Sequence, residues 1–196
     1  NCETNAVDPI FKFDRNTGEV LANFGVGLFI TPHGIHVDSE ANVWVTDFAG
    51  NQDGTKGHQV FKFSPSGEVL LTLGTAGQPG SGPNQLNQPN DVITSPDGSI
   101  FVADGHSGQN DDPPEGATAR IIKYAADGTH IMEWGEIGPE HGNFRTPHSL
   151  AFDSQGRLFI ADRGNHRVEI FDQEGNYLDS RYMYGRISGI FITADD

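Results

Sequence analysis

Pro32-His33-Gly34-Ile35, Pro89-Asn90-Asp91-Val92 and Pro147-His148-Ser149-Leu150 align in order along the chain, with spacings of 57 and 58 residues between their prolines. Each runs on into a turn: Asp38-Ser39-Glu40-Ala41-Asn42, Ser95-Pro96-Asp97-Gly98 and Asp153-Ser154-Gln155-Gly156. Each turn leads to an apolar stretch that ends in aspartate: Val43-Trp44-Val45-Thr46-Asp47, Ile100-Phe101-Val102-Ala103-Asp104 and Leu158-Phe159-Ile160-Ala161-Asp162. The aspartates keep the 57- and 58-residue spacing. Self-similarity at a fixed period marks a repeat architecture and is read before any single element.

A polar, Gly-rich loop and a third stretch of period-two alternation follow each aspartate: Gln59 to Phe63, Arg120 to Tyr124 and Arg167 to Phe171. Turns at Ser66-Gly67, Asp127-Gly128 and Glu174-Gly175 then lead to a fourth, outer strand such as Glu68 to Leu73. No segment sustains a 3.6-residue apolar period with caps, so almost no helix is expected. Four short antiparallel strands per repeat predict an all-β fold, a β-propeller whose innermost strands begin at Pro32, Pro89 and Pro147. The expected division is a partial blade over 1–25, blades over 26–74, 75–135 and 136–185, and a partial blade over 186–196. Ile10 to Asp14 and Glu19 to Phe24 fit the third and fourth strands of a blade, and Ser188 to Ile192 fits a first strand. A six-bladed ring at this spacing needs roughly 300 residues or more, so the sequence reads as an arc of a larger propeller or a subunit that pairs its open edges with another chain.

With 27 acidic against 12 basic side chains, the 196-residue chain carries a formal charge of −15. That balance argues against nucleic-acid or anionic-membrane partners, which are bound through Lys and Arg. No run approaches the roughly 18 apolar residues of a membrane span. A single cysteine, Cys2, excludes an intrachain disulfide and any CxxC site. It is open to reading as a lipid-attachment residue or as an accident of where the sequence starts, and no signal peptide opens the chain.

His33 and His148 take the same place at the head of innermost strands two blades apart, where Asn90 and Ser188 stand in the others. Such alternation aims imidazoles at the channel axis, and three of them with an open position make a catalytic zinc site. In a six-bladed ring the third would lie beyond residue 196. The plainer reading is a turn-to-strand device in which the imidazole bonds to a neighbouring blade. Asp47, Asp104 and Asp162 are read as structural, accepting backbone hydrogen bonds in the turn after the second strand. Asp111-Asp112 with Glu115 lacks EF-hand spacing and reads as a solvated acidic loop, and His36 is expected to face the sheet interior. No nucleophile elbow, P-loop or spaced carboxylate pair is present.

Thr31-Pro32-His33-Gly34-Ile35 through Thr46-Asp47, then His58 to Lys62, Gly77-Gln78-Pro79-Gly80, Asp104-Gly105, Trp134-Gly135-Glu136, Pro147 to Ala151 and Ala161-Asp162-Arg163-Gly164-Asn165 together resemble peptidyl-α-hydroxyglycine α-amidating lyase. The strand-turn-Asp pattern alone is similar to NHL-repeat propellers at large. The resemblance implies that His33 and His148 bind zinc, that the Ile35 carbonyl binds a structural calcium, and that Arg163 is an active-site arginine. Without it, Arg163 reads equally well as an interblade salt bridge. The family's catalytic tyrosine follows the Asp-Gly of the middle blade, and here that position is His106, either a general base or a solvated loop residue. The third zinc histidine, its neighbouring calcium aspartate and a second arginine belong to blades the sequence does not contain.

The expected activity is zinc-assisted cleavage of C-terminal α-hydroxyglycine peptides to peptide amide and glyoxylate. The rival expectation is a non-catalytic NHL-repeat scaffold that binds a protein, peptide or glycan, or self-assembles through its blade edges. The missing disulfides suit a bacterial relative, secreted, periplasmic or at the cell surface.

Overall fold

The computed structural model describes residues 2–193 and 195, and among them every strand pairs antiparallel with its neighbours, an isolated parallel bridge between Ile137 and Phe144 aside. A two-stranded hairpin, β1 (Ile10–Phe13) and β2 (Val20–Phe24), precedes three four-stranded sheets. The first sheet is β3 (Pro32–Val37), β4 (Val43–Asp47), β5 (Gln59–Phe63) and β6 (Val69–Leu73). The second is β7 (Pro89–Thr94), β8 (Ile100–Asp104), β9 (Arg120–Tyr124) and β10 (His130–Trp134). The third is β11 (Pro147–Phe152), β12 (Leu158–Asp162), β13 (Arg167–Phe171) and β14 (Tyr177–Arg181). Strands pair in sequence order within each sheet, so these are three propeller blades side by side, with β7 packed between β3 and β11. Among the described residues, helix is confined to two 3-10 turns, Ser107–Gln109 and Arg163–Asn165.

The core lies between neighbouring sheets, as the period-two patterning requires. Ile10, Phe24, Phe29, Phe61 and Phe63 join the hairpin to the first blade. Trp44, Val60, Leu86, Val102 and Ile122 fill the space between the first and second. Phe101, Ile121, Phe144, Ile160 and Phe171 do the same between the second and third. Every residue of β8 is buried because the middle blade is covered on both faces.

Two expectations need correction. Ser188 to Ile192 forms no strand, because no second strand lies beside it among the described residues. It still meets the third blade, where the Ile190 N–H donates to Ser149 Oγ at 3.2 Å. The repeat aspartates are structural, but their backbone donors come from the segment entering the first strand of their own blade, and the loop after the second strand contributes side chains instead, such as Asn165 to Asp162 and Thr118 to Asp104. Thr31 N–H donates to Asp47 Oδ1 at 2.6 Å, Asn87 N–H to Asp104 Oδ1 at 2.7 Å, and Arg145 N–H to Asp162 Oδ1 at 2.7 Å. In the second and third blades the cross-strand partner is an arginine. Arg120 Nε lies 3.0 Å from Asp104 Oδ2, and Arg167 Nε lies 2.8 Å from Asp162 Oδ2, with both pairs buried.

Removing one member of a buried ion pair strands its partner. Asp104→Ala should therefore lower unfolding free energy by about 3–5 kcal/mol in denaturant titrations. Asp127→Ala, at an exposed turn, should lose far less. Burial holds the His58 imidazole below its ordinary value of 6.5, and its Nδ1 accepts the Gln88 N–H at 3.2 Å. The unfolded chain thus takes up a proton first, and this contribution is present above pH 6.5 and lost as the pH falls below it. Acid titrations of stability should show wild type losing more between pH 7 and 5 than His58→Gln; parallel curves would refute this.

Candidate metal centre

The residue after each repeat aspartate occupies the mouth of the channel. Phe48, Gly105 and Arg163 donate their backbone N–H to Thr31, Gln88 and Thr146, the residues just before the inner-strand prolines, at 3.0, 3.2 and 3.0 Å. In the middle blade the post-Asp residue has to be glycine. Its φ is +118°, and a Cβ there would lie 1.9 Å from the Thr118 carbonyl oxygen. That turn brings His106 over the channel. Thr146 holds a φ of +73°, a strained conformation for a β-branched residue. Its hydroxyl donates to the His106 carbonyl at 2.7 Å, tying the entry of β11 to the His106 loop.

His33, His106 and His148 meet there, with ligand-capable nitrogens all within 4.8 Å of one another. Ring centroids are 5.0 Å apart for His33 and His148, 5.7 Å for His33 and His106, and 5.6 Å for His106 and His148. Phe48 forms an apolar wall, 4.8 Å from the His106 ring and 5.6 Å from His33. His33 Nδ1 lies 2.9 Å from the Asn90 carbonyl oxygen, and His148 Nδ1 lies 2.9 Å from that of Ser188. A carbonyl only accepts, so both Nδ1 atoms carry the proton and both Nε2 lone pairs are free. Asn90 makes the equivalent interblade bond, from Nδ2 to the Pro147 carbonyl at 2.8 Å, and leaves its Oδ1 buried without a partner. The interblade anchor and the free ligand nitrogen are thus two ends of the same imidazole.

His106 differs. Its Nδ1 faces the Gln109 side-chain nitrogen at 3.4 Å, and Gln109 Oε1 accepts from Arg186. The guanidinium orients the amide, so His106 Nδ1 is the acceptor and the neutral ring bears its proton on Nε2. Burial, with the nearby His33, Arg163 and Arg186, pushes His106 down to about 4. Burial, with Arg163 and His33, does the same to His148. Both are unprotonated at neutral pH, as metal binding or proton acceptance requires.

His33 and His148 line a cavity of about 510 Å³ along the inner strands, with Ile35, Asn90 and Asp91. Arg163 lies on the loop side and makes no ion pair among the described residues. His36 points to the neighbouring inner strand, its Nε2 3.1 Å from Thr94 Oγ1. Asp111, Asp112 and Glu115 assemble no cluster of three metal donors among the described residues. Sequence reasoning missed Phe48, Gln109 and Arg186. Phe48 was findable, since it shares the post-Asp register with Gly105 and Arg163.

The NHL repeat model matches residues 144–171, spanning the third blade's inner strands and their partner. Peptidyl-glycine alpha-amidating monooxygenase B of Xenopus laevis is 42% identical over 169 residues, 83% of this chain and 17% of that protein. Peptidyl-alpha-hydroxyglycine alpha-amidating lyase 1 of Drosophila melanogaster is 37% identical over 186 residues, 88% of this chain and 31% of that one. The chain is an NHL-repeat β-propeller region that resembles the amidating lyases. It therefore spans well under half the length of these relatives. Human NHL repeat-containing protein 3 is also 37% identical, over 74% of this chain and 40% of its own. Among solved structures, a streptogramin B lyase aligns with a TM-score of 0.61 at 18% identity, over 89% of this chain and 47% of that one, which is a likeness of fold.

The hydrogen bonds fix tautomers in this NHL-repeat region, and long-range proton–nitrogen NMR of the metal-free chain at pH 7 reads them directly. His33 and His148 should appear as Nδ1–H rings and His106 as Nε2–H. Finding Nε2–H on His33 or His148 would refute the arrangement.

Proposed function

We propose that this region supplies a zinc-binding and proton-transfer portion of a carbon–nitrogen lyase site acting on peptides that end in α-hydroxyglycine. The reading is carried by the repeat-equivalent His33 and His148, whose Nδ1–H groups bond to carbonyls and leave Nε2 unengaged, and which with His106 bring ligand-capable nitrogens within 4.8 Å of one another. Paired neutral imidazoles suit zinc, and His33 and His148 would hold it. When bound, zinc supplies Lewis-acid polarisation of a substrate oxygen. For calcium, Ile35 would offer one carbonyl, where such an ion takes six to eight oxygens. The described residues gather no acidic cluster around it, and no step rests on it.

His106 accepts the hydroxyl proton of the α-hydroxyglycine. As that O–H bond breaks, the carbon–oxygen bond becomes the carbonyl of glyoxylate. The carbon–nitrogen bond breaks with its electron pair going to nitrogen. His106 returns the proton there, and the peptide leaves as its amide. Phe48 covers the imidazoles and limits water at the proton-transfer position. Arg163 places a fixed positive charge beside the developing glyoxylate. His106 stands where the resembled family carries a tyrosine, a second group able to take and return a proton.

A non-catalytic scaffold is the second reading. It is favoured by that exchange and by the equal similarity to NHL repeat-containing protein 3. Metal analysis and turnover of α-hydroxyhippurate to benzamide and glyoxylate separate the two. Zinc should bind near one equivalent. His33→Ala or His148→Ala should weaken it by more than the roughly 10–100-fold that follows loss of a mere outer-shell partner. His106→Ala should keep zinc but slow turnover about 10²–10⁴-fold, whereas His106→Tyr should stay within about tenfold of wild type. Protein that takes up no added zinc overturns the lyase reading, and zinc-loaded protein without turnover supports the scaffold.

A further inference from the structure

Of the non-glycine residues with positive φ among those described, Thr146 is the β-branched one, and it also precedes a proline. Both features disfavour that conformation, because a branched Cβ crowds the backbone and a proline ring pushes the residue before it towards extended geometry. The repeat itself does not demand it, since Thr31 stands before Pro32 in the first blade without a positive φ. Gln88, before Pro89, shares it at +66°. The two residues held in this way are the ones that grip the His106 loop. Thr146 Oγ1 donates to the His106 carbonyl at 2.7 Å, and Gln88 Oε1 accepts from Ser107 Oγ. Backbone strain kept at a buried position, where an equivalent residue does without it, points to a task performed there.

The surroundings of His106 show what that task is. Gly105, just before it, has no side chain to pack, and His106 opens the 3-10 turn Ser107–Gln109 with no side-chain cap. The hydrogen bond of its own ring is the 3.4 Å contact with Gln109. Thr146 is fully buried and stands two residues before His148, with the fixed φ of Pro147 between them. Its carbonyl accepts the Arg163 N–H at 3.0 Å. One short, rigid run therefore carries a metal-binding ring, the tether of His106 and the anchor of the Arg163 loop. We infer that Thr146 is a positioning residue, whose hydroxyl, presented by a strained backbone, holds the His106 ring in register with His33 and His148. The proton-transfer role of His106 rests on the lyase reading, whereas its placement rests on the hydroxyl bond. Thr146 does not line the channel cavity and acts through His106.

Thr146→Val keeps the shape and the branched Cβ but has no hydroxyl, and Thr146→Ser keeps the hydroxyl. In proton–nitrogen NMR of the metal-free chain at pH 7, Thr146→Val should shift or broaden the His106 ring signals and mix its tautomers. His33 and His148 should stay Nδ1–H, and Thr146→Ser should match wild type. On α-hydroxyhippurate, Thr146→Val should lower kcat about 10–10²-fold, the scale of a small misplacement, with KM within about threefold and zinc uptake unchanged. In a His106→Ala background the same change should cost nothing further, because a residue that acts through another is not additive with it. Unaltered His106 signals in Thr146→Val, an equal loss in Thr146→Ser, or an undiminished effect in the His106→Ala background would each overturn the inference. If Thr146→Val does not fold, Thr146→Gly carries the same expectations, since glycine takes a positive φ without strain and likewise has no hydroxyl. Displaced His106 signals in a chain whose wild type shows no turnover would leave the positioning standing and remove the lyase reading. Wild-type turnover with His106 signals unmoved in Thr146→Val would do the reverse.

Discussion

Each blade is organised by one carboxylate with no exposure to solvent, at the end of its second strand: Asp47, Asp104 and Asp162. A buried carboxylate has to be surrounded by donors, and here they come from the backbone entering the first strand of the same blade. That bond fixes where Pro32, Pro89 and Pro147 begin their strands. The next residue then donates its N–H to the carbonyl preceding the proline, which fixes the position of Phe48, Gly105 and Arg163. Both the inner-strand head, with His33, Asn90 and His148, and the loop above it, with Phe48, His106 and Arg163, are thereby set by one interaction repeated three times.

The charge on those aspartates is handled differently from blade to blade, and the difference shapes the surroundings of the channel. Opposite Asp104 and Asp162 stand Arg120 and Arg167. Each guanidinium also reaches into the preceding connection, Arg120 to the carbonyls of Gly80, Ser81 and Gln85, and Arg167 to those of Pro139, Glu140 and Asn143. Long loops are thus pinned by buried cations instead of by strand pairing. The first blade has Gln59 in that register, and Asp47 relies on the N–H groups of Ile30 and Thr31. An acidic protein can in this way spend its few arginines inside, leaving Arg163 and Arg186 as unneutralised positive charge beside the histidines.

The repeat spacing made the strands legible, because a period-two pattern held in register over three units buries its apolar residues between neighbouring four-stranded sheets. His33 and His148 were legible for the same reason, being repeat-equivalent and not merely present. What lay outside the register was harder. Gln109 and Arg186 sit on loops of unlike length, where no periodicity aligns them, and they meet only because of interblade packing. Ser188 kept its first-strand role in one respect, its carbonyl accepting from His148, while lacking the strand pairing that the pattern foretold. The aspartates were assigned the right chemistry and the wrong loop, since sequence shows that an acceptor is needed but not which backbone curls over it.

The same repeat position carries two demands at once, and the imidazole is the side chain that can meet both. An interblade bond needs a donor aimed at the next blade, which asparagine supplies as well as histidine, as Asn90 shows. Asparagine, however, is left with an orphaned Oδ1 in a buried place. Histidine uses Nδ1–H for the bond and presents Nε2 on the opposite edge of the ring, about the axis where the neighbouring histidines converge. The structural bond is therefore also what fixes the tautomer. His106 obtains its tautomer from a side-chain amide held by an arginine, a weaker and longer contact than a backbone carbonyl provides. A ring held by a rigid backbone carbonyl suits a ligand, and a ring held by a displaceable side-chain amide suits a group that has to take up and return a proton.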